Sequence, residues 1–174
     1  MRLAGSKPRH LVVMGVSGSG KTTIAKRLAA ELRHEFADAD DFHPAANVAK
    51  MTSGQALTDA DREPWLRALA AWIAQHRSLR LSTVLACSAL KRRYRDTLRG
   101  AAPHIVFIHL DAPRETLLRR LQHREGHYMP AALLDSQLAT LEPLAPDEAG
   151  VTLDAVAPPA TIIDKIREYL SVIT

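Results

Sequence analysis

The stretch from Gly15 to Thr22 constrains this chain more than any other. It reads Gly-Val-Ser-Gly-Ser-Gly-Lys-Thr and fits the pattern Gly-x-x-x-x-Gly-Lys-Thr at every fixed position. An apolar run precedes it, and apolar residues recur at helical spacing after it (Ile24, Ala25, Leu28, Ala29, Leu32). A buried strand, a glycine-rich loop and an amphipathic helix in this order predict a loop that cradles phosphate groups.

Each fixed position of this loop has a physical task. Glycine lets the main chain approach a polyphosphate closely, and the N–H groups of the loop and of the following helix then face the anion. Lys21 is expected to reach the β- and γ-phosphates, and the Thr22 hydroxyl to complete a Mg²⁺ site. The sequence therefore predicts a nucleotide site made by Gly15, Ser17, Gly18, Ser19, Gly20, Lys21, Thr22 and Thr23.

Predicted strands alternate with predicted helices along the whole chain. The strands lie near residues 11–14, 36–39, 83–88, 105–110 and 151–154. The helices lie near residues 21–34, 45–51, 58–76, 90–99, 114–124, 131–141 and 162–173. Such alternation predicts an α/β fold with a five-stranded parallel sheet covered by helices on both faces. Because ligands of such sheets bind beyond the carboxyl ends of the strands, the loops at 15–22, 38–44, 88–95 and 111–114 should meet in one cleft.

Composition narrows the functional classes. The chain has 174 residues and a formal net charge of +4, which suits either nucleic acid or small anions as ligands. However, it has no long Lys/Arg run, and only 5% of its residues are aromatic. Cys87 is the only cysteine, and no apolar run approaches the roughly 20 residues that cross a bilayer. We expect a cytoplasmic protein of one domain, residues 1–174, that binds neither membranes nor nucleic acid.

Two carboxylates follow the second predicted strand. Asp38 and Asp40 lie two residues apart, so in an extended chain their side chains point the same way. They would point towards the phosphate loop if this strand neighbours the first one. One carboxylate could then support Mg²⁺ and the other could serve as a base for a hydroxyl nucleophile. The alternative is a solvated acidic turn.

Basic residues follow the third strand and the helix after the fourth. The third strand ends without an acidic residue, and Lys91, Arg92 and Arg95 open the next helix, where cations oppose the helix dipole. This placement indicates either an anion in the cleft or a solvated basic face. The later group consists of Arg119, Arg120, Arg124 and His127. Its arginines could stabilise a transferring phosphoryl group, or they could be ordinary surface residues.

Several longer stretches make the chain resemble the gluconate kinases of the P-loop type, which are related to shikimate kinase and the nucleoside monophosphate kinases. The matching stretches are Val13–Thr22, Asp38-x-Asp40 with His43-Pro44, Leu57-Thr58-Asp59-x-Asp61-Arg62-x-Pro64-Trp65-Leu66, Cys87-Ser88-Ala89-Leu90-Lys91 with Tyr94-Arg95-Asp96, Arg124-x-Gly126-His127, and Gln137 with Thr140-Leu141-Glu142. The likeness extends from about residue 11 to 143. It departs at Asp41-Phe42 and at Tyr128, where no charged group is lost.

The resemblance implies a three-layer α/β/α P-loop kinase fold with a lid at about residues 119–142. It also implies a homodimer that uses ATP and Mg²⁺ to phosphorylate the terminal hydroxyl of D-gluconate, giving 6-phosphogluconate. By the same likeness, Asp38 would bind a metal-held water, Asp40 would orient or deprotonate the hydroxyl, and Arg124 would stabilise the moving phosphoryl group. The substrate carboxylate would meet one or more of His43, Arg62, Lys91, Arg95 and His127, and the nucleotide would also contact Arg120 and Pro158.

Three alternative functions compete with this interpretation. A shikimate or nucleoside monophosphate kinase is the nearest, although shikimate kinases carry a glycine triplet where this chain has Ser88-Ala89-Leu90. A GTP-binding switch would need an Asn-Lys-x-Asp motif, but Val48 follows Asn47, the only asparagine. A nucleic-acid-binding role rests on the basic net charge alone.

Overall fold

The computed structural model describes residues 6–124 and 130–173. The strands are β1 (His10–Met14), β2 (Glu35–Asp38), β3 (Thr83–Ala86), β4 (Val106–Asp111) and β5 (Gly150–Asp154). The helices are α1 (Lys21–Leu32), α2 (Ala45–Thr52), α3 (Asp59–Ser78), α4 (Arg92–Arg99), α5 (Arg114–Gln122), α6 (Ala131–Thr140) and α7 (Pro159–Val172). Each predicted strand and helix is present, with ends that differ by about three residues or fewer.

The five strands form one parallel sheet in the order β2-β3-β1-β4-β5. β1 lies at the centre and is completely buried, which explains its unbroken apolar sequence. β2 is an edge strand and pairs with β3, so it does not neighbour β1. The carboxyl ends of β1 and β3 adjoin in the middle of the sheet, where the phosphate loop begins.

Helices cover both faces of the sheet. On one face, Val12 and Met14 of β1 pack with buried residues of α3, α4, α5 and α6. On the other face, Leu11 and Val13 pack with buried residues of α1 and α7. Because successive strand residues point to opposite faces, both sets of β1 side chains are buried. This arrangement confirms the predicted three-layer α/β/α fold.

Helix α3 begins with a capping box. The Thr58 hydroxyl accepts a hydrogen bond from the Asp61 N–H at 3.1 Å, and the Asp61 carboxylate accepts one from the Thr58 N–H at 2.9 Å. The buried stripe of the helix consists of Trp65, Leu66, Leu69 and Ile73. With 20 residues the helix is about 30 Å long. It therefore runs from the carboxyl ends of the strands to their amino ends. No helix within the two described ranges is long and apolar enough to cross a membrane.

Candidate active site

The phosphate loop turns sharply between β1 and α1, and two of its glycines are sterically required. Gly15 has φ 151°, and a Cβ there would lie 2.6 Å from the Ser19 Oγ and 2.8 Å from the Leu110 carbonyl oxygen. Gly18 has φ 86°, and a Cβ there would lie 3.0 Å from the Leu117 carbonyl oxygen. Side chains at either position would force the loop away from β4 or α5.

The loop presents a row of N–H groups with no acceptor among the described residues. These belong to Gly18, Gly20, Lys21, Thr22 and Thr23. Three of them form the first turn of α1, where the helix dipole also favours an anion. The N–H groups of the two loop serines are instead bound within the protein: Ser17 donates to Gln137, and Ser19 donates to the Val16 carbonyl. The geometry suits a polyphosphate seated over the loop and the start of α1.

Lys21 stands among charged groups from two other segments. Burial lowers the pKa of its ammonium, while the negative charges of Asp40 and Asp38 oppose that change. Arg124 adds a positive charge that lowers the pKa of Lys21 further. The ends of β2 and α5 therefore bring the charges of Asp38, Asp40 and Arg124 close enough to act on Lys21.

Asp38 contacts the loop directly. The Thr22 hydroxyl donates to the Asp38 Oδ2 at 2.8 Å, although β3 lies between β1 and β2 in the sheet. The sequence places Asp38 near the phosphate loop on the condition that the second strand neighbours the first. That condition is wrong, yet the side chains of Asp38 and Thr22 meet beyond the strand ends. Because the Thr22 hydroxyl donates its proton to Asp38, the lone pairs of its oxygen stay free for a metal ion. A hydroxyl and one carboxylate suit Mg²⁺, which takes few protein oxygens and several from phosphates and water.

Asp40 reaches the site by a different route from the one predicted. The chain leaves the extended conformation after Asp38 and forms a 3₁₀ helix at Ala39–Phe42, so strand alternation does not orient Asp40. Instead, the Asp40 N–H donates to Asp38 Oδ1 at 3.0 Å, which fixes one carboxylate relative to the other. The Asp40 side chain is exposed, and its charge acts on Lys21 and on His43.

His43 lies flat against a buried tryptophan. Its ring stacks on Trp65 with centroids 4.4 Å apart and planes 11° apart, and the Trp65 indole N–H donates to the Ala39 carbonyl at 2.7 Å. Burial lowers the pKa of His43, Asp40 acts to raise it, and Arg62 acts to lower it. The His43 imidazole thus feels both an acidic and a basic side chain, and its Nδ1 lies 3.3 Å from the Asn47 side-chain amide.

Arg62 and Lys91 both lie near the ring of Tyr94, 5.4 and 5.8 Å from its centroid. The Arg62 guanidinium donates to the Tyr94 hydroxyl at 3.1 Å, and the Lys91 ammonium pairs with Asp59 at 3.1 Å. The Tyr94 hydroxyl donates to the same Asp59 carboxylate. We call Asp59, Arg62, Lys91 and Tyr94 the acceptor cluster. Lys91 and Arg62 are half-buried, so each keeps surface for an anionic ligand.

Asp59 was missed as a site residue because its sequence position favours a helix-capping role. It is the first residue of α3, where an acidic side chain is common for reasons of helix stability alone. Its presence in the Asp-x-Asp-Arg stretch was the available signal. In the structure it joins the start of α3 to α4 and holds the acceptor cluster together.

Arg95 does not line the cleft, and its prediction as a substrate contact is wrong. Its side chain is 0% exposed. Its Nε and Nη2 donate to Glu148 at 2.7 and 2.9 Å, and its Nη1 donates to the Ala89 carbonyl at 2.9 Å. Ala89 has φ 46°, an uncommon conformation for a residue with a side chain. Arg95 therefore stabilises the turn that follows β3 through its hydrogen bond to the Ala89 carbonyl.

The buried ion pair predicts an acid-sensitive step in stability. Burial would raise the pKa of Glu148, but hydrogen bonds from Arg95, the Ala145 N–H and Arg99 outweigh it and lower the pKa to about 2. A carboxyl group whose pKa is lower in the folded than in the unfolded state stabilises the fold at pH values above its unfolded pKa, which is near 4.5. That stabilisation is lost as the pH falls towards 2. We expect Glu148→Gln to lower the free energy of unfolding by about 3–5 kcal/mol at pH 7 in urea denaturation.

The control for this change is Asp147→Asn, which removes an exposed carboxylate that pairs with Arg92. We expect this variant to unfold within about 1 kcal/mol of the parent protein. The difference between parent and Glu148→Gln should shrink between pH 4.5 and 2. A difference that stays constant over this range would contradict the assignment to Glu148.

Arg120 and Gln137 hold the phosphate loop from outside. The Arg120 Nη1 donates to the carbonyls of Gly18 and Ser19 at 3.3 and 3.4 Å, and its Nη2 donates to the Ala155 carbonyl at 2.6 Å. The Gln137 Oε1 accepts from the Ser17 N–H at 2.8 Å, and its Nε2 donates to Ser17 Oγ at 3.1 Å. Gln137 was absent from the predicted site. The signal was its place in the Gln-x-x-Thr-Leu-Glu stretch.

The remaining predicted residues are placed as follows. Arg124 is exposed just beyond the end of α5. His127 lies outside the described residues. Pro158 is exposed at the start of α7, three residues after Ala155. A cleft of about 380 Å³ opens at the carboxyl ends of β4 and β5. It lies on the same side of the sheet as the expected adenine neighbour.

The two contacts of Gln137 give a further prediction. Gln137→Ala frees the Ser17 N–H and lets the loop relax, so we expect the Kd for ATP to rise about tenfold, the effect of losing about 1.4 kcal/mol. Titration calorimetry with a non-hydrolysable ATP analogue measures this change. Gln75→Ala, which truncates an exposed glutamine on α3, is the matched control. Equal affinities of the two variants would contradict a role of Gln137 in the loop.

The chain is similar to known proteins both in sequence and in structure. The family profile described as "AAA domain" matches residues 11–144. The chain is 50% identical to a gluconokinase of Gluconobacter oxydans over 95% of its own length and 93% of that protein. Among solved structures, it is similar to a sugar kinase from a Janibacter species (TM-score 0.90, 54% identity, 94% of this chain and 95% of that one). It is also similar to a gluconokinase from Sinorhizobium meliloti (TM-score 0.87, 40% identity, 96% and 94%).

Proposed function

The chain belongs to the AAA-domain family and, within it, to the P-loop gluconokinases, and on this premise we propose that it transfers the γ-phosphate of ATP to D-gluconate. The products are 6-phospho-D-gluconate and ADP. One observation carries the proposal: the Asp40 carboxylate acts both on Lys21 of the phosphate loop and on His43, which also feels the positive charge of Arg62 in the acceptor cluster. The loop suits a polyphosphate donor, and the cations suit an acceptor that is itself an anion.

The donor half of the site binds and orients ATP. The free N–H groups and Lys21 hold the β- and γ-phosphates, while Arg120 and Gln137 keep the loop in its binding conformation. Mg²⁺, held by Thr22 and near Asp38, supplies charge neutralisation of the phosphate oxygens when bound. Pro158, after β5, is proposed to lie beside the adenine. Phosphoryl transfer gains most from such positioning and charge, because little covalent chemistry falls to the protein.

The acceptor half of the site positions gluconate. Its carboxylate meets Arg62 and Lys91, which carry positive charge on half-exposed side chains. His43 presents an imidazole edge to the sugar hydroxyls, and His127 remains part of the proposal. Asp40 takes the hydrogen bond of the terminal hydroxyl and accepts its proton as the hydroxyl oxygen bonds to phosphorus. Arg124 stabilises the charge on the transferring phosphoryl group.

Wider features of the protein complete the proposal. Residues 1–174 form one kinase domain whose lid is the segment of about residues 119–142. The contacts of Arg120 and Gln137 with the phosphate loop support this, because they tie both flanking helices to the site. We further propose that the protein works in the cytoplasm as a homodimer.

A substrate panel tests the proposed activity. Initial rates are measured with ATP, Mg²⁺ and one acceptor at a time: gluconate, shikimate, AMP or CMP. We expect kcat/KM for gluconate to exceed that for each other acceptor by at least about a hundredfold, because the relatives that cover most of this chain are gluconokinases. The negative charge of the acceptor alone would not separate the four, since shikimate, AMP and CMP are anions too. A preference for shikimate or a nucleoside monophosphate would favour the related kinase class instead.

A further inference from the structure

A cationic cleft lies at the amino end of β1, whereas the phosphate loop follows the carboxyl end of the same strand. It has a volume of about 480 Å³, within the range of small-molecule sites. Its walls come from the chain before β1, from the end of α3 and from the turn before β4. The basic side chains are Lys7, Arg77 and Arg80 together with the imidazoles of His10 and His104, and the described lining contains no carboxylate.

The basic side chains of this cleft have no acidic partner in its described lining. Several other arginines of the described chain are paired, as in Arg92 with Asp147 and Arg114 with Asp135. Within residues 6–124 and 130–173, no ion pair involves Lys7, Arg77, Arg80 or His104. Arg77 makes one long hydrogen bond, 3.4 Å to the Ala101 carbonyl. The positive charge of the cleft is therefore uncompensated.

His10 adds a buried polar group to the wall. It is 4% exposed, its Nδ1 lies 2.8 Å from Thr83 Oγ1, and its Nε2 has no hydrogen-bond partner in the described part of the chain. Burial, followed by the positive charges of Arg77, His34 and His76, lowers its pKa to about 4. Of the charged groups that act on His10, all are basic.

The dipole of α3 explains only part of this arrangement. Cations near the end of a helix are stabilised by its negative pole, which accounts for Arg77 and Arg80. It does not account for Lys7 and His104, which reach the same cleft from two other segments. Convergence of separate segments on one concavity is typical of a ligand site.

We propose that this cleft binds a small phosphate-bearing metabolite, separate from the ATP and gluconate of the catalytic cleft. Arginine side chains match phosphate oxygens with paired N–H donors, and lysine and histidine supply additional charge. The concavity favours a compact phosphomonoester over an extended polyanion, which would need a longer basic stripe. The proposal is independent of the kinase activity.

The test uses inorganic phosphate as the probe in the Lys21→Ala background, where the catalytic phosphate site is weakened. At constant ionic strength, NMR follows the ring resonances of His10 and His104. We expect both to shift saturably with one Kd. The double variant Arg77→Ala/Arg80→Ala should raise this Kd at least tenfold. The double variant Lys7→Gln/His104→Gln, which changes the other two segments of the cleft, should also raise it. His10 serves as the reporter in that variant.

The matched control is Arg27→Ala/Arg167→Ala, which removes two exposed arginines that pair with Glu31. It should leave the phosphate Kd unchanged. Equal weakening in this control would mean that net charge alone attracts phosphate, and an absence of saturable shifts would mean that the cleft does not bind it. Stronger shifts with a short DNA duplex than with phosphate would also overturn the proposal, since they would indicate a surface for nucleic acid.

Discussion

Replacing Arg124 by alanine is expected to lower kcat by about a thousandfold, the lower end of the effect that a guanidinium on the transferring phosphoryl group provides. Arg124 is exposed beyond α5 and has no side-chain partner among the described residues. Its positive charge nevertheless acts on Lys21, so it stands near the phosphates that Lys21 would hold. The KM for gluconate should change by less than about threefold, because the contact strengthens in the transition state.

Arg119→Ala is the matched control for this experiment. It removes an exposed arginine from the same helix, one and a half turns before Arg124, and should leave kcat nearly unchanged. Arg124→Lys, which keeps the charge but loses the planar pair of donors, should fall between the parent protein and Arg124→Ala. A large rise in the KM for gluconate at unchanged kcat would assign Arg124 to substrate binding instead.

Replacing Asp40 by asparagine is expected to lower kcat by a factor of about 10² to 10⁴, the usual contribution of a positioned general base. Asparagine preserves the shape of the side chain but cannot accept the proton of the acceptor hydroxyl. The Asp40 N–H bond to Asp38 is a main-chain contact and survives the change. We therefore expect the Kd for ATP, measured by calorimetry, to stay within about threefold of the parent value.

The neighbouring carboxylate provides the control for Asp40. Asp41→Asn removes one negative charge from the same 3₁₀ helix and should reduce kcat by less than about threefold. If the two variants retain equal activity, Asp40 is neither the base nor the residue that orients the hydroxyl. If Asp40→Asn weakens ATP binding strongly, its main role lies with Lys21 and the metal instead.

The fold was readable from the sequence because its signals are local and repeated. The apolar run of β1, the glycine pattern of the loop and the stripe of α3 each predict one element, and their alternation predicts a parallel sheet. The capping residue Thr58 was also recognisable, since its bond to Asp61 spans three residues. Strand order was not readable, because it depends on which strands pair across the whole chain. The assumed neighbour of β1 was wrong for that reason.

The residue types of the site could be predicted from the sequence, but its geometry could be predicted only in part. Asp38 and Lys21 were predicted, and the structure brings them together. Arg95 carries the same charge as Lys91 in the same basic stretch, yet it turns inward because Glu148, 53 residues later, supplies a buried carboxylate. Gln137 meets Ser17 across 120 residues. Neither partnership leaves a periodic or short-range signal, so only three-dimensional packing reveals it.

The strand order β2-β3-β1-β4-β5 has a consequence for how such an enzyme diversifies. The proposed acceptor residues follow β2 and β3, on one side of the sheet, and all described members lie between positions 40 and 94. Apart from Asp38 at the end of β2, the proposed donor residues follow β1, β4 and β5, and all of them are encoded before or after that interval. The acceptor half and the donor half of the site are thus separate both in space and along the gene. One continuous coding segment can vary the acceptor while the machinery for ATP is inherited unchanged.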